Sequence, residues 1–505
     1  MLTTADSVRT GARVASPALL LGLLAFAQLI IALDYNIVFV ALPVIGEGLR
    51  FSESALQWVV SAYAVAFGGF LLLGGRLADL IGKRRAFVIG LGLYAASSLV
   101  GALATDPMVL VVARAFQGLG GAFLSPATLS LVTTSFPEGR SRNTAMSIWA
   151  AAGSTGMVLG SLLGGVLTGS LGWESVFTVN VFLAGIAIVG AFLLVPADLS
   201  RSAASRTRLD VPGAITATVG VLAVVFALVQ VPDAGWASPV TVVPGAVGVV
   251  FLAVFVFVQH ASREPLVPVA LFRTGNLGVG TWVTFLFMAT FGAIPYFLTI
   301  YMQQELRFSP MVTGLAFIIP SACVLIGATW AGRLGNVAAP KAVLATAFAV
   351  GAVGTAALAG GFALGFAPAI LVVPLVVLST AQGVVFTTMF TLATSGVAPE
   401  HQGTASGIAT AGQQVGGAVG LALLVLGATA VAGADPMGQI VAATFLIAAG
   451  SGVGIIVSLF ASHRRSTAGS DDDAGSTRSE PAVAPSQSAP GSPVDAAVDG
   501  PTVAG

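Results

Sequence analysis

The chain has 505 residues, of which 56% are hydrophobic and only 8% charged, with a mean hydropathy of +0.96. A water-soluble globule would have too little polar surface at that composition, so the chain reads as a polytopic membrane protein. The 21 basic and 21 acidic residues cancel, and the net charge therefore says nothing about partners; no nucleic-acid partner is expected. A single cysteine, Cys323, rules out an internal disulfide framework and any multi-cysteine metal site.

Residues 1–17 are polar, carry Arg9 and Arg13, and lack the small-residue cleavage site of a secretory signal. They are expected to form a cytoplasmic segment ahead of a retained first helix. Apolar runs long enough to cross a bilayer then recur. The first six are predicted at 18–42, 55–75, 86–104, 107–132, 143–168 and 174–195. After a polar stretch at 197–210 come two more, 212–231 and 238–259. The last six lie at 277–302, 311–333, 341–361, 367–394, 403–431 and 438–460. From Ser466 the composition is rich in Ser, Pro, Ala and Asp, which cannot bury enough apolar surface to fold, and a disordered cytoplasmic tail is expected over 461–505. The predicted fold is all-α: an N-terminal six-helix half (18–195), a linker with two inserted helices (196–276) and a C-terminal six-helix half (277–460), fourteen transmembrane helices in all.

The basic residues test this layout. With a cytoplasmic amino terminus, 18 of the 21 Lys and Arg fall on that side, Arg50 and Arg307 fall outside, and Arg114 lies within a span. This is the positive-inside pattern over a whole chain, and it puts both termini in the cytoplasm.

Two charges break the apolar runs. Asp34 lies in helix 1 and Arg114 in helix 4, and each is an intramembrane ionisable group of the kind that needs a partner. Counted from the outer ends of their antiparallel helices, both lie roughly 10 to 12 Å deep at about 1.5 Å per residue. They are expected to meet, either as a working proton-coupling pair or as a static tie between helices 1 and 4; Arg114 could also bind backbone carbonyls alone.

Internal repetition sets the architecture. Asn143-Thr-Ala-Met-Ser-Ile with Gly156 and Gly160 matches Gly403-Thr-Ala-Ser-Gly-Ile with Gly416 and Gly420. Gly75-Arg76-Leu77 matches Gly332-Arg333-Leu334, and Gln117-Gly118 matches Gln382-Gly383. These pairs link helices 2, 4 and 5 with 10, 12 and 13, at nearly constant spacing. Two parallel six-helix repeats imply alternating access to a site between them near the midplane, with helices 7 and 8 as an insertion.

The segment Gly75-Arg-Leu-Ala-Asp-Leu-Ile-Gly-Lys-Arg-Arg85 resembles the helix 2–3 loop signature of the major facilitator superfamily. Arg114-Ala-Phe-Gln-Gly118 is similar to its helix 4 motif, and Leu33-Asp-Tyr-Asn-Ile-Val-Phe-Val-Ala-Leu-Pro43 to the helix 1 motif of its fourteen-helix drug/proton antiporter branch. The resemblance spans about residues 18–460. It implies that Gly75, Arg76, Asp79, Gly82 and Arg84 form a gating loop motif in which Asp79 helps latch the cytoplasmic side. Gly75 is expected to let helix 2 approach a neighbour closely. Gly156, Gly160, Gly164 and Gly165 of helix 5 form a small-residue face on which helices can rock, similar to the antiporter motif of that branch. Two departures stand out: Ser161 where a proline is usual, and Asn336 where the repeated loop motif would carry Asp.

Polar and aromatic residues on the cavity-lining helices supply the substrate-binding candidates: Tyr35, Asn36, Tyr63 and Gln117 in the first half, and Tyr296, Gln382 and Gln413 in the second. Trp58, Trp173 and Trp236 read as interfacial belt residues. No Gly-Lys-Ser/Thr phosphate loop occurs, and His260, His401 and His463 lack metal-ligand spacing, so no catalysis, cofactor or metal is expected. The expected function is proton-driven export of drugs, antibiotics or lipophilic metabolites across a bacterial cell membrane by a monomer, the proton gradient being the energy source. A proton-coupled uptake symporter and a transport-inactive membrane scaffold are the alternatives.

Overall fold

A computed structural model describes residues 16–137, 140–196, 210–262, 265–273, 275–397 and 402–461. The predicted tail from residue 462, residues 1–15 of the amino-terminal segment and the polar stretch 197–209 lie outside the described residues, as do His401, His463 and the side chains of Asp79 and Asn336. Among the described residues there are helices and no strands, and fourteen helices are long and apolar enough to cross a membrane.

The first half comprises α1 (Pro17–Leu49), α2 (Trp58–Ile81), α3 (Lys83–Ala102), α4 (Pro107–Ser135), α5 (Arg140–Leu171) and α6 (Ser175–Leu194). The inserted pair is α7 (Val211–Ala234) and α8 (Pro239–Ala261). The second half comprises α9 (Leu277–Glu305), α10 (Pro310–Gly335), α11 (Pro340–Ala363), α12 (Pro368–Thr394), α13 (Gln402–Ala432) and α14 (Pro436–Leu459). All fourteen correspond to the predicted spans. The largest difference is at α1, predicted to end at 42 and continuing seven residues further. Pro43 inside it removes one backbone hydrogen bond, but Pro43 and its neighbours are buried against other helices, which is where a membrane helix tolerates proline.

Starts and stops follow local chemistry. Asp106, Asp210 and Asp435 cap α4, α7 and α14, each carboxylate accepting from a backbone N–H of the first turn at 2.8 to 3.0 Å. Pro at the first or second helical position follows each of these caps. Between α2 and α3 the only break is Gly82 at φ 103°, a left-handed conformation that explains why the loop motif has glycine there.

Within lipid, helices associate through close backbone contact rather than through the hydrophobic effect, and here glycine seams provide it. A methyl group added at Gly156 or Gly164 of α5 would come within 2.5 or 2.7 Å of the Leu29 or Ile37 carbonyl of α1, and at Gly160 it would meet the Leu33 carbonyl. Gly416 and Gly420 of α13 stand in the same relation to Phe285 and Ala289 of α9. Gly118 of α4 meets the Tyr63 carbonyl of α2, and its counterpart Gly383 of α12 meets that of Val324 on α10. The sequence repeat is therefore also a repeat of helix contacts.

Three contacts between the halves stand out among the described residues. On the face where α1 and α5 end, Gly165 of α5 lies against Pro310 and Gly314 of α10, and Gln303 of α9 donates to the Val40 carbonyl of α1 at 2.7 Å. Along the third seam α2 packs on α13, where Gly68 meets Gln414 and Gly407 meets Leu72. α7 covers this third seam, since Val221, Val225 and Val229 share one apolar cluster with Ala64 and Val65 of α2 and Ala418 and Ala422 of α13. α8 packs on α7 through Gly220 and Gly248 and exposes Val249, Val250 and Phe257.

Two helices of the second half are broken. α9 leaves helical geometry at Thr290 (φ −111°, ψ −83°), passes through a 3-10 turn, Phe291–Ala293, and ends in a π-helical turn, Tyr301–Glu305. α10 is interrupted at Phe317.

Gly160→Ala should lower stability by about 1–3 kcal/mol, because the Leu33 backbone cannot yield to the added methyl. Gly332→Ala, with open space around it, should change stability by no more than about 0.5 kcal/mol or raise it. Thermal melting of the two purified variants checks both; equal melting temperatures would contradict the seam.

Candidate functional site: a buried ion pair in the first half

Asp34 lies in the middle of α1 and is 0% exposed; Arg114, on α4, is 2% exposed. Arg114 Nη1 donates to Asp34 Oδ2 at 2.8 Å, so the two spans bring their charges together as the depth count requires. A carboxylate in hydrocarbon costs about 2.5–3.5 kcal/mol to insert, and the surroundings offset this with a full set of donors. Gln117, three residues after Arg114 and hence on the same face of α4, donates from Nε2 to Asp34 Oδ1 at 2.9 Å and to Ser98 Oγ of α3, also at 2.9 Å. Asn180 of α6 donates to the same Oδ1 at 2.6 Å.

The guanidinium is held independently of the carboxylate. Its Nε donates to the Val59 carbonyl of α2 at 2.8 Å, and Nη1 also donates to Gln117 Oε1 at 2.6 Å. The Tyr63 ring lies under it, 4.4 Å from Cζ to the ring centroid, a cation–π contact. α1 can therefore withdraw Asp34 without leaving Arg114 unpartnered. The Asp34–Arg114 hydrogen bond runs through one guanidinium nitrogen, weaker than the two-pronged arrangement such groups can form.

The remaining candidates divide. Tyr63 and Gln117 belong to the ion-pair network. Asn36 faces the other way on α1 and donates to the Met157 carbonyl of α5 at 2.9 Å, a helix tie beside the glycine seam. Tyr35 crosses to the second half, its hydroxyl 3.9 Å from Met288 Sδ. Gln382 donates to the Phe291 carbonyl at 3.0 Å, one of the backbone groups at the break in α9. Gln413 is buried on α13. Tyr296 lines a cavity of about 340 Å³ with Phe297, Ile300, Gln304, Val425 and Ile440.

The second half has the same frame without the charges. Ala289 sits against Gly420 as Leu33 sits against Gly160, so the residue after it, Thr290, takes the place of Asp34. Counting back three residues from Gln382, as from Gln117 to Arg114, gives Ser379, which is buried.

In the loop motif, Arg76 Nη2 donates to the Pro265 carbonyl at 2.7 Å, joining α2 to the segment between α8 and α9. Arg84 Nη2 donates to the Phe192 carbonyl near the end of α6 at 3.0 Å, and the guanidinium lies over the Phe192 ring at 5.3 Å. The close approach expected at Gly75 falls instead on Gly74, where an added methyl would meet the Ala122 carbonyl of α4; at Gly75 it would meet only Pro126, at 3.6 Å. Trp173 is a second correction. It is buried rather than interfacial, packing on Phe177 and against Gly48 at the end of α1, whereas Trp236 is exposed.

Asn180 and Ser98 were not anticipated. Asn180 is the one amide in the apolar run Ser175–Leu194, a polar group in a membrane span that could have been singled out on that ground. Ser98 gives no such signal.

Residues 24–421 match the family described as Major Facilitator Superfamily. The chain is 38% identical over 411 residues to the cephamycin export protein CmcT of Amycolatopsis lactamdurans, covering 79% of this chain and 82% of that one. It is 35% identical over 406 residues to the puromycin resistance protein of Streptomyces alboniger, covering 79% of each. A crystal structure of the peptide transporter POT in complex with sulfate shares the fold at a TM-score of 0.64, with 17% identity over 87% of this chain and 93% of that one. With its fourteen spans and repeated halves, this chain belongs to the major facilitator superfamily.

Proposed function

We propose that the chain is a proton-coupled antiporter that exports antibiotics or similar lipophilic small molecules across the bacterial cell membrane, with both termini in the cytoplasm. The observation that carries the coupling is the Asp34–Arg114 pair, an ionisable couple sealed in the first half and absent from the corresponding place in the second. The substrate class follows from the relatives, which include a cephamycin exporter and a puromycin resistance protein. The proton gradient is the energy source, and a monomer is the working unit.

With cytoplasmic termini, the contacts of α5 with α10 and of α1 with α9 close the outer side. The pair is formed in that state, so Asp34 is charged and its proton has left. A lipophilic substrate enters from the cytoplasm or inner leaflet, and the halves rock to open the outer side. Rocking draws α1 from α4 and separates Asp34 from Arg114. A carboxylate left in apolar surroundings without its counter-charge takes up a proton from outside. The neutral carboxyl then crosses with the returning carrier, and renewed approach of Arg114 expels the proton inward. Asp79 of the loop motif latches the cytoplasmic side, and Arg76 ties that latch to the segment following the inserted helices.

Asp34→Asn should abolish uphill export while leaving downhill exchange of substrate. In inverted vesicles with an acidic interior, wild-type protein should give drug-evoked proton leakage and the variant none; uphill transport by the variant would remove Asp34 from coupling. Gly165→Leu should wedge the outer gate open. A cysteine placed at Ser161 in a Cys323→Ser background should then react at least about tenfold faster with an impermeant maleimide added outside, the change expected for a penalty of roughly 1.4 kcal/mol on closure. Unchanged labelling would contradict the outer-gate assignment.

A further inference from the structure

Asn180 is 0% exposed and carries an unused acceptor. Its Nδ2 donates to Asp34 Oδ1 at 2.6 Å and, more weakly, to the Val176 carbonyl at 3.3 Å, while its Oδ1 has no hydrogen-bond partner. A buried carbonyl oxygen without a donor is destabilising, and here it belongs to the same amide that grips the coupling carboxylate.

The two protonation states of Asp34 make opposite demands on their neighbours. The carboxylate only accepts, and the present arrangement supplies three donors: Arg114 Nη1, Gln117 Nε2 and Asn180 Nδ2. The carboxylic acid has one O–H to donate and needs an acceptor. Gln117 Oε1 is engaged by Arg114, and Ser98 Oγ donates to the Tyr94 carbonyl while accepting from Gln117. Asn180 Oδ1 is not engaged. A half-turn of its terminal amide exchanges Oδ1 for Nδ2 and sets an acceptor at hydrogen-bond distance from Asp34 Oδ1. That torsion is broad and roughly two-fold, so both orientations fit the same site.

We propose that Asn180 is a positioning residue that follows the charge of Asp34, donating to the carboxylate and turning over to accept from the carboxylic acid. The step balances simply: Asp34 gains one proton from solvent, and its new O–H replaces the lost N–H···O contact with an O–H···O contact to Asn180. The neutral acid is thereby satisfied after Arg114 has moved away, and it can cross the closed core without a water. The other titratable groups facing Asp34 are Arg114 from α4, Tyr63 from α2 and Tyr94 from α3, with Tyr35 beside it on α1. α6 carries no titratable residue, and α5 carries only Arg140 and Arg142 in its first turn. The proposal rests on Asp34 titrating during transport.

The test is a pH-difference infrared spectrum of the reconstituted protein, recorded for wild type, Asp34→Asn, Asn180→Leu and Asn180→Ser. Wild type should show a carboxylic C=O band that Asp34→Asn removes, together with an asparagine amide band that shifts on carbonyl labelling of asparagine. Asn180→Leu should move the carboxylic band to the frequency of a free O–H and slow coupled transport by about tenfold or more, as loss of a buried hydrogen bond to a charged group requires. Asn180→Ser, whose hydroxyl both donates and accepts, should restore much of the rate and the bonded band. A carboxylic band that is present but identical in wild type, Asn180→Leu and Asn180→Ser would overturn the switch, and labelled wild type with no amide shift would do so without any variant. Absence of any Asp34-dependent band would instead overturn proton coupling through Asp34.

Discussion

Everything in the first half is arranged around a charge pair that cannot be solvated. Asp34 and Arg114 sit where water is excluded, and removing either partner would leave a buried charge uncompensated, a loss of several kcal/mol. That constraint fixes which helices touch. α1 must lie against α4 for the pair to form, α6 must bring Asn180 to the second face of the carboxylate, and α3 must bring Ser98 to Gln117. In the transport cycle proposed above, the same constraint is what would let a motion of α1 relative to α4 change the charge on Asp34.

The glycine seams make such motion compatible with a packed membrane protein. α5 presents Gly156, Gly160 and Gly164 to the α1 turns that flank Asp34. α1 thus meets α5 mainly through backbone at those turns, with the Asn36–Met157 hydrogen bond as the side-chain tie between them. The second half keeps the seam, with Gly416 and Gly420 of α13 against α9, yet has Thr290 and Ser379 in place of the charges. At Thr290 the helix breaks, and Gln382 satisfies a carbonyl there. One frame thus carries two functions: the first half holds the ionisable couple, while the second substitutes a broken helix and neutral hydroxyls.

Much of this was legible in the sequence, for identifiable reasons. Asp34 and Arg114 were conspicuous because charge is rare in apolar runs, and counting residues along antiparallel helices placed them level. Gln117 was singled out as a polar residue of a cavity-lining helix, but its grip on Asp34 and Arg114 came from the structure. The repeat was visible because the glycines that make close contacts recur at fixed spacing. Other features depend on three-dimensional detail that residue type does not carry. Gly74 and Gly75 are equivalent in sequence, and only the rotation of α2 decides which faces Ala122. Trp173 has the composition of a belt residue, but the extension of α1 past Pro43 brings Gly48 beneath it and buries it. Tyr296 belongs to a cavity that Gln304 of the π-helical turn of α9 also lines, and that turn leaves no mark in hydropathy. Asn180 was visible as an amide in an apolar span, but its pairing with Asp34 depends on how α6 packs.

The central claim is that substrate and proton compete through the state of one carboxyl group. Proton release on substrate binding tests it most directly: purified protein in weakly buffered detergent solution at a series of starting pH values, titrated with cephamycin-type antibiotics and puromycin while a pH indicator is read. The account predicts release of a fraction of a proton per polypeptide that rises toward one as the starting pH is lowered, and none from Asp34→Asn protein that still binds the drug. Release of equal size from the Asp34→Asn protein, or binding by wild type with no release at any starting pH, would contradict it.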